Sequence, residues 1–313
     1  MGKALFQILI FPGFLFLSVA SLLFEYIDRK LHAKLQNRIG PPWYQPLADI
    51  IKLFSKETVV PREADKRIFK WIPLFALAAT TCAFLYIPIW GKTSLFPFEG
   101  DLIVVLYFLT VPTLTFFLAG WSSTSLYAEI GSIRAMTQLF AYEVPLYLSI
   151  LGPAMLAGTW SLSGVTAFYA QNPLLALCNI PGFLVSIVAI QGKLERVPFD
   201  IPDAETEIVG GTFTEYSGRL LGMFRMTLDS ELVVVSGLIA AVFLPFFIPE
   251  NPVLGMLVFL VKVFIVVFIL AVMRTALARL RIDQMIAFCW KVLAPVALLQ
   301  LLIDLIVKGA ILA

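Results

Sequence analysis

Charge is scarce in this chain. Only 14% of its 313 residues are Asp, Glu, Lys or Arg, whereas a soluble domain carries roughly a quarter. Histidine is nearly absent, with His32 alone, and it is read as lying in a surface loop. A nucleophile–histidine–acid set therefore has only one place to form. Cysteine is rare too. Cys82, Cys178 and Cys289 are far apart and lie in or beside apolar segments, so they read as small buried hydrophobes. That is not the grouping an iron–sulfur cluster or a structural zinc needs. Neither GxxxxGK[ST] nor GxGxxG occurs, which argues against nucleotide binding. The net charge of +2 is too small to point to nucleic acid. No internal repeat, low-complexity tract or soluble domain is evident, so residues 1–313 read as a single polytopic membrane domain. The chain does not look like a self-sufficient enzyme, and it is expected to carry no metal, haem or redox centre of its own.

What the chain has instead is apolar length. Sixty per cent of it is hydrophobic, and mean hydropathy is +0.91. Runs near the roughly 20 residues needed to span a bilayer fall at about 5–24, 71–90, 102–121, 140–159, 175–192, 232–249, 253–273 and 285–307. The fold class expected is an all-α integral membrane protein with eight transmembrane helices. The first run has a cleavage-like Ser18-Val19-Ala20, but it continues through Phe24 and reads as a retained span. Residues 40–57 place Leu47, Ile50, Ile51 and Phe54 at helical spacing after the Gly40-Pro41-Pro42 turn. They read as an amphipathic helix on the cytoplasmic membrane surface.

Eighteen of the 23 Lys and Arg fall in 25–70, 122–139, 193–230 and 274–284. Lys3, Lys92 and Lys308 fall on the other side, while Lys262 and Lys291 lie inside spans. The positive-inside rule then puts the long loops in the cytoplasm and both termini outside, in the cell membrane.

Glu195–Gly218 (ERVPFDIPDAETEIVGGTFTEYSG) concentrates six acids in two dozen residues of this hydrophobic chain. Acids beside a membrane are costly and usually functional. Pro202 suits the first turn of a helix in which Asp203 and Glu205 meet the positive end of the dipole. Helix capping explains those two well, but Asp200, Glu207 and Glu215 poorly. Glu143 lies one to two turns into a span, before Pro145. Lys262 lies roughly 14 Å into its own span, too deep for easy snorkelling. Arg274, Arg279 and Arg281 form a compact basic turn with Asp283.

These motifs resemble the subunit 1 (H-type) family of respiratory complex I and its relatives in membrane-bound nickel–iron hydrogenases. QNRIGPPWYQPLADIIKLFSKE at 36–57 is similar to the family's first cytoplasmic motif. GWSSTSLYAEIGSIRAMTQLFAYE at 120–143 is similar to its second. The acidic stretch is similar to its third, and VKVFIVVFILAVMRTALARLRIDQMIAFCWKVLAP at 261–295 to its last. The resemblance covers nearly the whole chain.

It implies a non-catalytic membrane anchor of a multisubunit energy-converting oxidoreductase, joining a hydrophilic redox arm to an ion-translocating membrane arm. It implies ion-coupling roles for Glu143, Asp200, Asp203, Glu205, Glu207, Glu215 and Lys262. Docking of the redox arm would fall to Arg38, Gln45, Asp49, Arg134, Arg196, Arg274, Arg279 and Arg281. Iron–sulfur clusters and a nickel–iron centre would sit in hydrophilic partner subunits. Antiporter-like membrane subunits and membrane lipid would be the other partners. Only Pro42-Trp43-Tyr44 separate the RIGP and QP elements, and Ala278 and Ile282 stand where complex I has Pro and Tyr. These departures look more like the ferredoxin-linked hydrogenase branch. The alternatives are a quinone-chamber subunit of an NADH:quinone oxidoreductase or the equivalent subunit of a sulfur-reducing complex. A stand-alone transporter would commonly show two related halves, which are not seen.

Overall fold

The computed structural model describes residues 2–91, 93–249 and 251–312, without the side chains at 3, 205, 206, 311 and 312. The expectations for Lys92 and for the Glu205 side chain therefore lie outside the described residues. Helices dominate, and no strand occurs among the described residues.

Helix α1 (Gly2–Leu9) breaks at Pro12 and Gly13, and α2 (Phe14–Leu35) continues the same span. His32 lies inside α2 rather than in a surface loop, with Nδ1 3.1 Å from Thr275 Oγ1. The surface helix is α3 (Gln45–Ser55), opened by Pro46, whose missing N–H costs nothing there. Helix α4 (Lys66–Leu85) starts at Asp65, whose carboxylate accepts from the Arg67 and Ile68 amides. Helices α5 (Asp101–Ser122) and α6 (Leu126–Ala157) follow, and α6 stops at Gly158 in the left-handed region. At 32 residues α6 is about 48 Å long, well over the roughly 30 Å of a bilayer core. Its first turns thus project beyond the apolar run at 140–159.

A short α7 (Leu162–Gln171) and a 3₁₀ turn lead into α8 (Ile180–Lys193). The acidic stretch forms only one helical turn, α9 (Glu205–Ile208). Pro202 and Asp203 lie in the turn before it, so the helix expected to open at Pro202 starts three residues later. Helices α10 (Gly218–Phe243) and α11 (Pro252–Ala276) are spans. The last span joins α12 (Ile282–Phe288) to α13 (Ala294–Leu312) through a π-helical turn at Cys289–Leu293.

Among the described residues, eight helical segments are long and apolar enough to cross a membrane, and the chain is a multi-pass membrane protein. The central span is α10, 83% buried over its most apolar window, against 28% for the first and last spans. A main core packs Phe24, Phe84, Leu139, Tyr142 and Val233–Val235. A second core, at the end of the bundle carrying the basic residues, holds the acidic stretch in place. Phe213 and Tyr216 enter it from the loop and meet Phe69, Phe116 and Phe224. Phe69 and Tyr216 stack at 3.9 Å, and such a pair adds about 0.5–1.5 kcal/mol beyond area burial. Gly211 has φ +52°, and a Cβ there would lie 2.0 Å from the Pro202 carbonyl, so the loop closes only on glycine. The Leu280 amide donates to the Pro198 carbonyl at 2.9 Å, tying the α11–α12 turn to the acidic loop.

Candidate functional site: a charged cavity above a buried ion pair

Where α2, α3, α10, α11 and the acidic loop meet, they enclose a cavity of about 660 Å³. Of its 19 described lining residues, seven are basic and six are acidic. Small-molecule sites are usually apolar with a few polar groups. Such dense charge of both signs suits water and protons better.

The cavity's charges are cross-linked. Arg29 reaches Glu25 at 2.7 Å and Asp49 at 2.8 Å. Arg196 reaches Glu25 at 3.0 Å and Asp28 at 2.8 Å, and Arg274 reaches the same Asp28 oxygen at 3.0 Å. Asp28 is fully buried, so two guanidiniums on one carboxylate offset its loss of hydration. Burial lowers the Arg196 pKa, but Asp28 and Glu25 outweigh it and hold the guanidinium more firmly protonated than usual. Gln45 donates to Asp49 at 2.8 Å and so orients the acid that Arg29 uses. Asp200 and Asp203 line the cavity from the loop.

Glu195 forms part of the wall. Its carboxyl sits deep in the fold although one side faces the cavity. Burial, together with the charges of Asp203, Glu231 and Asp200, pushes its pKa well above the usual carboxylate range, and Lys193 only partly opposes this. Its backbone is left-handed at φ 51°, uncommon outside glycine. The turn is held by Gln138 Nε2 on the Gly192 carbonyl and Gln191 Nε2 on the Val197 carbonyl, both at 2.6 Å.

Below Glu195 the polar line continues inward. Lys193 ends α8 with its side chain 2% exposed, and its ammonium lies 2.9 Å from Glu231 Oε1 on α10. It also donates to the Leu109 carbonyl. Lys193, Tyr142, Glu143 and Tyr147 share the wall of a void of about 10 Å³. Tyr147 donates to Glu143 at 2.8 Å.

The other candidates are placed differently. Glu207 is about half exposed and bonds Arg134 at 2.6 Å, with Arg279 at 4.0 Å. The Arg134 hydrogen bond holds its pKa below the usual range. Glu215 does not line the cavity. Lys262 lines a separate void of about 30 Å³ near Gly91 and Phe247, toward the opposite end of the bundle, and no carboxylate lines that void among the described residues. Arg38 and Arg281 are exposed at the basic end, whereas Arg196, Arg274 and Arg279 line the cavity. Sequence reasoning missed Glu25, Asp28, Lys193, Asp229 and Glu231 as site residues. The available signal was that Lys193 and Glu231 lie at the edges of apolar runs, three residues or fewer from a span. Among the described residues no group of three His, Cys, Asp or Glu is arranged to hold a metal ion.

Among the described residues, eight span-length helices surround a cavity lined by charges of both signs, with the buried Lys193–Glu231 pair next to the wall residue Glu195, and they define a multi-pass membrane protein. The sequence pattern of the NADH dehydrogenase family matches residues 6–305. The H subunit of the NADH-quinone oxidoreductase of Dehalococcoides mccartyi is 36% identical over 306 residues, covering 96% of this chain and 85% of its own. The NADH-quinone oxidoreductase H 2 subunit of Geobacter sulfurreducens is 38% identical over 307 residues, covering 93% and 92%. Among solved structures, a chain of the membrane-bound sulfane sulfur reductase, an archaeal respiratory membrane complex, superposes with a TM-score of 0.85. It is 29% identical, covering 97% of this chain and all of that one. This chain belongs to the NADH dehydrogenase family, among its H-type membrane subunits.

Proposed function

We propose that this chain is the membrane anchor and ion-coupling subunit of a multisubunit oxidoreductase complex, at the joint between a hydrophilic redox arm and an ion-moving membrane arm. The basic end is the cytoplasmic one. There the exposed Arg38, the outer face of α3 and the Arg134–Glu207–Arg279 group form the platform for iron–sulfur and nickel–iron partners. Ile39, Trp43 and Ile51 are largely exposed there, as a surface meant for lipid or a partner would be. Antiporter-like subunits would continue the membrane arm.

The observation that carries this reading is the polar line from the cavity through Glu195 and the Lys193–Glu231 pair to Glu143. A charge change at the cavity alters the field on a buried pair, where the local dielectric amplifies it. Glu195 is the group best suited to take up a proton there, and Glu143 is the innermost acid of the line. Lys262 enters the proposal as a separate, half-buried cation toward the other end.

The test is to introduce Glu143→Gln, Glu231→Gln and Lys262→Met singly into the complex. Assembly, redox rate and ion uptake are then measured on the same vesicles. Ion uptake should fall steeply in the two glutamate variants while the complex stays assembled, and the redox rate should fall with it where coupling is tight. Full assembly with unchanged ion uptake in both would end the proposal.

The names of the relatives favour one second reading, that the cavity serves a quinone. Quinone-dependent turnover with bound quinone in the purified complex would support it. The 13 charged residues among the 19 described in the cavity wall weigh against it.

A further inference from the structure

Away from the cavity, in the other half of the bundle, α13 carries a carboxyl that the proposed function does not use. Asp304 is fully buried. Its two oxygens take hydrogen bonds from Gln300 Nε2, at 3.0 and 2.9 Å. No cation lies within 4.0 Å of it among the described residues. Lys308, one turn on, points instead to the Met155 carbonyl at 2.8 Å. Gln300 also donates to Asn179 at 2.9 Å and accepts from the Gly182 amide at 3.3 Å. Asn179 meets the Tyr169 side chain. Tyr169 itself donates to the Pro153 carbonyl at 3.0 Å and borders an open cavity of about 390 Å³ with Gln171, Pro173 and Phe247.

Two features of α6 fit it to this carboxyl. Gly152 makes the room, since a Cβ there would stand 2.6 Å from Asp304 Oδ2. Pro153 has no N–H to give the Ser149 carbonyl, so that acceptor loses its intrahelical donor beside the same contact. The groups shown to reach Asp304 are Gln300 from its own helix, the Gly152 position of α6 and, through its field, Tyr169 from α7. An ionised carboxylate surrounded by neutral amides at this depth costs several kcal/mol. A neutral carboxyl there avoids that cost.

We propose that Asp304 is a proton-binding site, a carboxyl held neutral in the half of the bundle opposite the charged cavity and reached from the cavity beside Tyr169 through Asn179 and Gln300. The site stands apart from the cavity–Glu143 line, and its existence does not depend on the function proposed for that line. It gives the chain a second group that exchanges a proton, facing the other aqueous side.

Infrared difference spectra of the assembled complex in lipid test it. Subtracting Asp304→Asn from wild type should leave a carbonyl band of a neutral carboxylic acid at neutral pH. Asp304→Glu should move that band rather than abolish it. On transfer to heavy water the band should shift, and Tyr169→Phe should slow the shift several-fold. If Asp304→Asn fails to assemble, the comparison of Asp304→Glu with wild type still decides the protonation state. A difference spectrum with carboxylate bands only would overturn the site. An unchanged exchange rate in Tyr169→Phe would overturn the route.

Discussion

Glu195 combines two costs at one residue. Its backbone is left-handed, which costs roughly 1–2 kcal/mol for a side chain with a Cβ, and its carboxyl sits among other acids. Both costs persist because Gln138 and Gln191 clamp the turn, and outliers of this kind cluster at functional sites. The pH consequence has a definite sign. Its folded pKa lies above the unfolded one, so between the two values the native state holds the extra proton. Stability is then full below the ordinary carboxylate range and falls as pH rises toward the raised value. Glu195→Gln cannot ionise and should lose this dependence. Melting temperature of the lipid-embedded complex against pH is the measurement: variant and wild type should converge at acid pH, with the variant gaining on wild type toward alkaline pH. Parallel curves would mean the carboxyl is not raised. Glu207 has the opposite sign, since Arg134 holds it low. It supports the fold above the ordinary carboxylate range and loses that support in acid, weakly, because it is half in solvent.

At the scale of elements, the pairing of α8 with α10 depends on charges that neither helix can expose. Lys193 and Glu231 are 2% and 0% exposed, so removing one leaves the other stranded. Lys193→Met should cost about 3–5 kcal/mol, much of it the uncompensated Glu231. Lys193→Met with Glu231→Leu should recover most of that loss while remaining uncoupled in ion uptake. Denaturation of both variants separates the structural contribution of the pair from its proposed role in charge movement. A double variant as unstable as the single would show that packing, not the stranded charge, sets the cost.

This pair also shows what hydropathy hides. The expected span at 232–249 starts just past Glu231, and the one at 175–192 stops just short of Lys193. In the structure α10 begins at Gly218 and α6 at Leu126, each 14 residues before the apolar run. Those missing turns carry Arg225, Asp229 and Glu231 on α10, and Arg134 on α6. Arg225 and Asp229 line the cavity, Glu231 pairs with Lys193 and Arg134 with Glu207, so a long polar-sided helix reads as a loop. The eight spans, the surface helix and the acidic stretch were legible because each rests on a local pattern. The cavity was not, because it draws on α2, α3, α10 and α11, and proximity between distant segments leaves no mark on a single sequence. The α9 turn was overread: Pro202 fits a first helical turn locally, but Gly211 packs on its carbonyl and holds it in the loop.

The whole molecule is asymmetric across the membrane. The polar cavity, the surface helix and the basic helix ends share one end, while the Asp304 cluster, Lys308 and the short α7 occupy the other. Eighteen of 23 basic residues fall in the segments assigned to the first end. With eight crossings, the orientation proposed here puts both termini on the second side, outside the cell. Cysteine labelling in intact cells decides this. Cys178 is half-buried near the same end as the α7 loop and would give background, so the test starts from Cys82→Ala, Cys178→Ala and Cys289→Ala together. Asn172→Cys and Arg62→Cys then place single thiols at exposed positions on opposite ends. An impermeant maleimide should modify Asn172→Cys in intact cells and Arg62→Cys only after the membrane is opened. The reverse pattern would put the charged cavity on the outer face. A redox arm fed from the cytoplasm could not dock there, and the anchoring role proposed for this chain would fall with the orientation.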